Sequence, residues 1–372
     1  MPMDINTPSS NRLASIDALR GFDMLMIAGA GSFIELLGGK TDLGWLNVLA
    51  AQFEHPAWNG FTFYDFIFPL FLFIAGVSLS FSLNSNRHRD MSNRQLYRKA
   101  AVRMVILMGL GILYKNAPVP FLEPSQIRFV SVLGRIGMAG FFTTLIYLNF
   151  GPRSRALWIG SILFVYYAAL FLIPVPGYGA GDLTFEGNLV GWVDRNFLPG
   201  RLLQGTYDEL GILTQFPALC LTMLGAFAGD VLRQEGTPKT KLIRLSLTGM
   251  GLVAIGLLWG LHFPINKHLW TSSFILLTGG MAFLALALFY LVIDVAKYQK
   301  WAFFFRVIGL NSLTIYLAYR FIDFGFTSRF LFEGLYKFTP EPWHGVWQSL
   351  GALGLVWVFL YFLYRKGWFL KV

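Results

Sequence analysis

A histidine sits between a carboxylate and a tryptophan in Glu54-His55-Pro56-Ala57-Trp58-Asn59-Gly60, and Phe61-Thr62-Phe63-Tyr64-Asp65 follows at once. The apolar run Phe66-Ile67-Phe68-Pro69-Leu70-Phe71-Leu72-Phe73-Ile74 comes directly after. Histidine is the side chain whose unperturbed pKa lies nearest neutrality, so it can take a proton, or carry an acyl group, without extreme tuning. Its place at the mouth of an apolar span points to chemistry at a membrane surface. Trp58 beside it can anchor the span at the interface, as aromatic belts do, and Glu54 reads as a rim carboxylate. Thr62-Phe63-Tyr64-Asp65 has the form of a capping box, which gives Asp65 a helix-start role beside any catalytic one. Pro69 predicts a kink close by.

These residues need elements to hold them, and composition says which. The chain has 372 residues, 55% hydrophobic and only 13% charged, with 37 Phe and a mean hydropathy of +0.55. Soluble domains carry roughly 25% charged residues, so lipid must solvate much of this surface. At roughly 20 apolar residues per helix, the predicted spans are 18–38, 62–83, 100–118, 128–149, 155–174, 211–230, 242–262, 270–294, 302–322 and 345–365. The expected fold is all-α: one polytopic helical bundle over 1–372 with about ten transmembrane helices. It carries a tail at 1–15 and an external loop at 175–210. That loop opens on the turn-rich Pro174-Val175-Pro176-Gly177-Tyr178-Gly179-Ala180-Gly181 and is read as a small cap or a flexible segment.

The net charge of +10 and pI of about 9.7 could suggest nucleic acid, but the distribution argues otherwise. With the N-terminus inside, most Lys and Arg fall in cytoplasmic segments around 87–103, 153–155, 233–244, 297–306 and 365–371. That bias follows the positive-inside rule. An even number of spans puts both termini in the cytoplasm and His55 outside. Nucleic acid is therefore not an expected partner. The single cysteine, Cys220, excludes an internal disulfide and a thiolate metal cluster.

Charges inside spans are costly against lipid and should face the bundle interior. Asp17, Arg20 and Asp23 share one helix face. They read either as a local ion pair or as part of a grip on a phosphate-rich ligand. Arg135, in Leu133-Gly134-Arg135-Ile136-Gly137, has no neighbouring carboxylate in sequence. It needs a partner from another helix or a bound anion. Gly38-Gly39-Lys40-Thr41 lacks the upstream glycine of a phosphate loop, no histidine pair has a metal-ligand spacing, and no metal is expected. Gly225…Gly229 and Gly256…Gly260 match small-xxx-small packing. They read as contacts within one chain, with a homodimer left open.

The chain resembles the bacterial branch of the transmembrane acyltransferases related to heparan-alpha-glucosaminide N-acetyltransferase. The resemblance rests on Arg12 to Phe22 with its Asp17-Ala18-Leu19-Arg20-Gly21 core, His55-Pro56-Ala57-Trp58-Asn59-Gly60 with Asp65, and Val132 to Gly137. It continues through Gly211-Ile212-Leu213-Thr214, Phe263 to Phe274, and Gly309-Leu310-Asn311-Ser312-Leu313-Thr314. It implies a transmembrane acetyltransferase that takes acetyl from cytoplasmic acetyl-CoA and delivers it to the amine of a terminal glucosamine on the far side. The acceptor would be an amino sugar or a heparan sulfate-like glycan, and the location a bacterial cytoplasmic (inner) membrane. His55 is then the catalytic histidine, with Glu54 and Asp65 beside it. Arg20, Arg135, Lys267, Trp270 and Asn311 are nominated for acetyl-CoA, and Trp58 and Asn59 for the acceptor. The family's lysosomal enzyme has an active-site asparagine where this chain has Gly31. The alternatives are a transporter or flippase for a sugar or lipid-linked glycan, which the buried charges would serve as a path, and an O-acetyltransferase of envelope polysaccharide.

Overall fold

The computed structural model describes residues 13–370; the tail before them, with Arg12, and Lys371 lie outside. Sixteen α-helices follow in order. They are α1 (Ala14–Leu25), α2 (Gly31–Glu35), α3 (Gly44–Ala51), α4 (Ile67–Leu83), α5 (Asn86–Arg89), α6 (Asn93–Asn116), α7 (Val132–Asn149) and α8 (Pro152–Leu172), then α9 (Leu189–Phe197), α10 (Gln215–Arg233), α11 (Pro238–Gly260), α12 (Ser272–Phe289), α13 (Ala302–Leu310), α14 (Ser312–Ala318), α15 (Phe324–Tyr336) and α16 (His344–Lys366). No β-strand forms among the described residues. The protein is all-helical and polytopic as expected.

Among the described residues, seven helical stretches are long and apolar enough to cross a bilayer: Phe63–Leu83, Val132–Asn149, Pro152–Leu172, Gln215–Arg233, Pro238–Gly260, Ser272–Val295 and Glu341–Lys366. Of the other three predicted spans, two are broken and one lies in a continuous helix. The stretch at 18–38 is broken by a π-helical turn at Met26–Ala30, where Gly29 has φ 122°. A side chain there would be strained, which is why glycine occupies the bend. The Tyr319 hydroxyl donates to the Ala28 carbonyl within that turn. The stretch at 302–322 is divided by Asn311, whose φ of −118° and ψ of 23° end α13 and start α14. The stretch at 100–118 belongs to the longer α6, which begins with a Ser92–Gln95 capping box. Hydropathy alone does not register such breaks, because backbone geometry and tertiary contacts set them.

The chain divides into two compact units. Among the described residues, one contains 13–56, Thr62–Phe71 and 285–370. The other contains Ala57–Phe61 and Leu72–Leu284. In the first unit α1 and α13 pack backbone to backbone. A Cβ on Gly21 would lie 1.7 Å from the Phe305 carbonyl oxygen, and one on Gly309 would lie 2.1 Å from that of Asp17. Met24, Ala28, Val307, Ile308, Ile315, Val356 and Leu360 form the apolar core there.

In the second unit α4 and α10 use the same device. A Cβ on Gly76 would meet the Thr222 carbonyl oxygen at 1.9 Å, and one on Gly225 would meet that of Phe73 at 1.9 Å. Gly229 of α10 faces Ser80 of α4. The Gly225…Gly229 pattern thus makes helix contacts within the chain. Gly225→Val should destabilise the protein by at least the 1–3 kcal/mol typical of overpacking, about a few degrees in a detergent melting curve. An unchanged melting temperature would mean these helices separate without cost. The segment 175–210 contains α9, where the Asn188 side chain accepts from the Gly191 N–H at 2.7 Å.

Candidate active site

In the first unit the loop between α3 and α4 holds the histidine. Gln52 closes it: its carbonyl accepts from the Tyr64 N–H at 3.0 Å and its side-chain Oε1 from the Phe63 N–H at 3.2 Å. A 3₁₀ turn, Phe63–Phe66, then leads into α4. Asp65 is 1% exposed and divides its oxygens. Oδ2 accepts from the Thr62 N–H at 3.1 Å and the Thr62 hydroxyl at 3.3 Å, the capping role. Oδ1 lies 2.7 Å from His55 Nδ1. Asp65 therefore caps the turn and contacts His55 at the same time.

This pairing fixes the chemistry of the imidazole. An ionised carboxylate only accepts, so Nδ1 carries the hydrogen and donates to Oδ1. The lone pair of the neutral ring is then on Nε2, which is the tautomer a general base or acyl acceptor requires. The His55 side chain is 43% exposed, so the ring is reachable while its orienting carboxylate is buried. Glu54 is exposed, and its N–H turns back to the Ala51 carbonyl at 3.4 Å. Arg20 is half-buried, with Nη1 3.5 Å from Asp17 Oδ1. Asn311 is 1% exposed at the α13–α14 break, where its Oδ1 accepts from the Thr314 hydroxyl at 3.4 Å.

In the second unit the other nominated residues form two contacts. Trp58 stacks on His268, with ring centroids 5.3 Å apart and planes 13° from parallel. Its indole N–H donates to the Leu183 carbonyl at 2.9 Å, and Phe185 and Tyr207 approach edge-on. The Tyr207 hydroxyl lies 2.8 Å from His268 Nδ1; burial pushes that phenol's pKa up. Asn59 Oδ1 accepts from Asn266 Nδ2 at 3.0 Å, and the Gly60 N–H donates to the Ile265 carbonyl at 2.9 Å. The H-x-x-W-N-G segment is therefore stitched to the 261–270 loop by its last three residues. Lys267 is half-buried in that loop, and its carbonyl accepts from the Trp270 N–H at 3.2 Å.

Arg135 meets Trp270. The guanidinium carbon is 4.4 Å from the indole centroid, and the side chain is wholly buried. Nη2 donates to the Glu209 carbonyl at 2.9 Å and to the Thr214 hydroxyl. Nε and Nη1 have no hydrogen-bond partner among the described residues. A buried cation with two unsatisfied donors suits an anion or a polarised carbonyl. The turn that presents Glu209 and Thr214 is tied to α9 by Asp194. Its Oδ2 accepts from the Asp208 N–H at 3.1 Å and its Oδ1 from the Ile212 N–H at 2.9 Å. Burial raises the Asp194 carboxyl to about 6, against the opposing pull of those two amides. Arg128 and Asp208 brace the turn as a buried bidentate pair, with both bonds at 2.7 Å.

Some of these residues escape the reading of motifs. Tyr64 lies on His55, with centroids 5.1 Å apart, although the sequence marks it only as a filler inside the capping box. The Tyr207–His268 pair spans 61 positions, so no local spacing could suggest it.

Comparison with known proteins adds to this geometry. Residues 12–264 match the family model described as heparan-alpha-glucosaminide N-acetyltransferase, catalytic. The chain is 28% identical over 417 residues to heparan-alpha-glucosaminide N-acetyltransferase of Homo sapiens, covering 97% of this chain and 60% of that protein. It is 28% identical over 422 residues to the Mus musculus protein of the same name, covering 98% and 61%. The chain thus spans about 60% of the length of these curated relatives.

Proposed function

The chain belongs to the heparan-alpha-glucosaminide N-acetyltransferase catalytic family, and we propose that it is a membrane-bound acetyltransferase. It moves acetyl from cytoplasmic acetyl-CoA to the amine of a glucosamine-type sugar at the external face of a bacterial inner membrane. The observation that carries this reading is the buried Asp65 carboxylate on His55 Nδ1. That bond leaves Nε2 basic at an accessible ring.

The reaction balances as follows. The acceptor, as its free amine, attacks the thioester carbonyl. The C–S bond breaks as the C–N bond forms, coenzyme A leaves as thiolate, and the proton from nitrogen passes to His55 Nε2. In the two-step route Nε2 attacks the thioester carbonyl and coenzyme A leaves as thiolate; the amine then attacks the acetylimidazolium, the ring N–C bond breaks as the new C–N bond forms, and the released imidazole takes the amine's proton. Asp65 holds the ring and stabilises the imidazolium in the first route. Arg135, with its two unsatisfied donors, is assigned to an anionic or carbonyl group of acetyl-CoA. Trp270, Lys267, Arg20 and Asn311 are assigned to the same donor. The Trp58 and Asn59 segment is assigned to the sugar, and Glu54 to attraction of its ammonium form.

The test is direct. Purified protein in proteoliposomes, given acetyl-CoA labelled in the acetyl group and a glucosamine-terminated oligosaccharide, should yield an N-acetylated product by mass. Label appearing only on hydroxyl oxygens would convert the reading to O-acetylation. Uptake of sugar without acetyl-CoA, and no acetylated product, would replace it with a transporter.

A further inference from the structure

The ring of Tyr64 has an arrangement that none of the roles above uses. It lies nearly parallel to the His55 imidazole, with centroids 5.1 Å apart and planes 19° from parallel. Its own position is fixed from two directions. The Tyr64 N–H is held by the Gln52 carbonyl at 3.0 Å, and the Phe53 ring packs against it at 5.8 Å. Across from the ring is the backbone of Gly31. A Cβ at that position would lie 2.5 Å from Tyr64 Cε2, 2.9 Å from Cζ and 3.1 Å from the hydroxyl oxygen. Real Cβ atoms do not approach ring carbons that closely. The tyrosine ring therefore occupies the volume that any side chain at 31 would need.

The hydrogen bond from Nδ1 to Asp65 fixes one corner of the imidazole, and the face of Tyr64 lies along its plane. A parallel aromatic face also favours the ring after it gains a proton, because an imidazolium is a cation over a π-system. We propose that Tyr64 is a positioning residue that sets the plane of His55, and that Gly31 is required because it alone leaves room for the ring. The proposal rests on the reading of His55 as the group that takes the amine's proton or the acetyl group. It accounts for the glycine in physical terms: an asparagine at 31 and a tyrosine at 64 exclude one another.

Steady-state kinetics on four variants test this. Tyr64→Leu should lower kcat about tenfold, the scale of one aromatic pair and of a misaligned reacting group, with KM for acetyl-CoA within about twofold of the parent value. Tyr64→Phe should restore most of kcat, since the stack and not the hydroxyl is invoked. Gly31→Ala should fall by a similar factor with Tyr64 intact, which keeps the test alive if Tyr64→Leu fails to fold. Gly31→Ala/Tyr64→Leu should be no worse than the poorer single variant. Parent-like kcat in folded Tyr64→Leu or Gly31→Ala, with His55→Ala inactive, overturns this proposal and leaves the catalytic reading standing. Tyr64→Phe as impaired as Tyr64→Leu also overturns it, because the effect would then belong to the hydroxyl. Full activity in His55→Ala overturns the catalytic reading itself.

Discussion

Replacing His55 by alanine is expected to lower kcat for acetyl transfer by about 100- to 10,000-fold, the range lost with a positioned general base. The loss should appear in kcat rather than in KM for acetyl-CoA, since the imidazole engages the reacting atoms and not the bulk of the donor. The protein should remain folded. The side chain is 43% exposed, so its removal opens no internal cavity. Steady-state rates with labelled acetyl-CoA, together with a melting curve, check both parts. A folded His55→Ala variant at the parent rate would remove His55 from the chemistry.

The second large effect is expected from Asp65→Asn. The carboxylate accepts two kinds of bond at once: Thr62 donors at Oδ2 and the His55 N–H at Oδ1. Asparagine offers one acceptor and one donor. If its oxygen serves Thr62, its NH2 faces Nδ1 and forces the hydrogen to Nε2, which disables the base. If its oxygen serves His55, its NH2 meets the Thr62 N–H and the cap is lost. The first arrangement should reduce kcat by about 100- to 10,000-fold through the wrong tautomer. The second should cost about 1 kcal/mol of stability. Thr62→Ala separates the two, because it removes the hydroxyl–Oδ2 bond without touching His55. It should lower the melting temperature slightly and leave kcat near the parent value. Parent-like activity in folded Asp65→Asn would mean that the orientation of the ring does not depend on the carboxylate.

Hydropathy made most of the fold legible. Long apolar runs become helices because the bilayer demands internal satisfaction of every backbone group. What it could not register was where a run bends. Gly29 and Asn311 interrupt two apolar stretches whose composition changes little across the break. His55 was legible as a candidate because a charged, titratable motif beside an apolar span is rare, and the family resemblance sharpened it. Asp65 was legible as a cap; its second oxygen was not, since a loop returning over ten residues brings His55 to it. Arg135 announced a need for a partner, but the partners Glu209, Thr214 and Trp270 come from distant segments. The Gly31 departure looked like a missing function in sequence. In space it is filled by the ring of Tyr64.

The most direct measurement is a structure of the protein with coenzyme A bound. The thiol sulfur is expected within about 4 Å of His55 Nε2, the separation of a near-attack arrangement, with Nδ1 still on Asp65. A thiol held far from that nitrogen, in a protein that transfers acetyl at full rate, would contradict it.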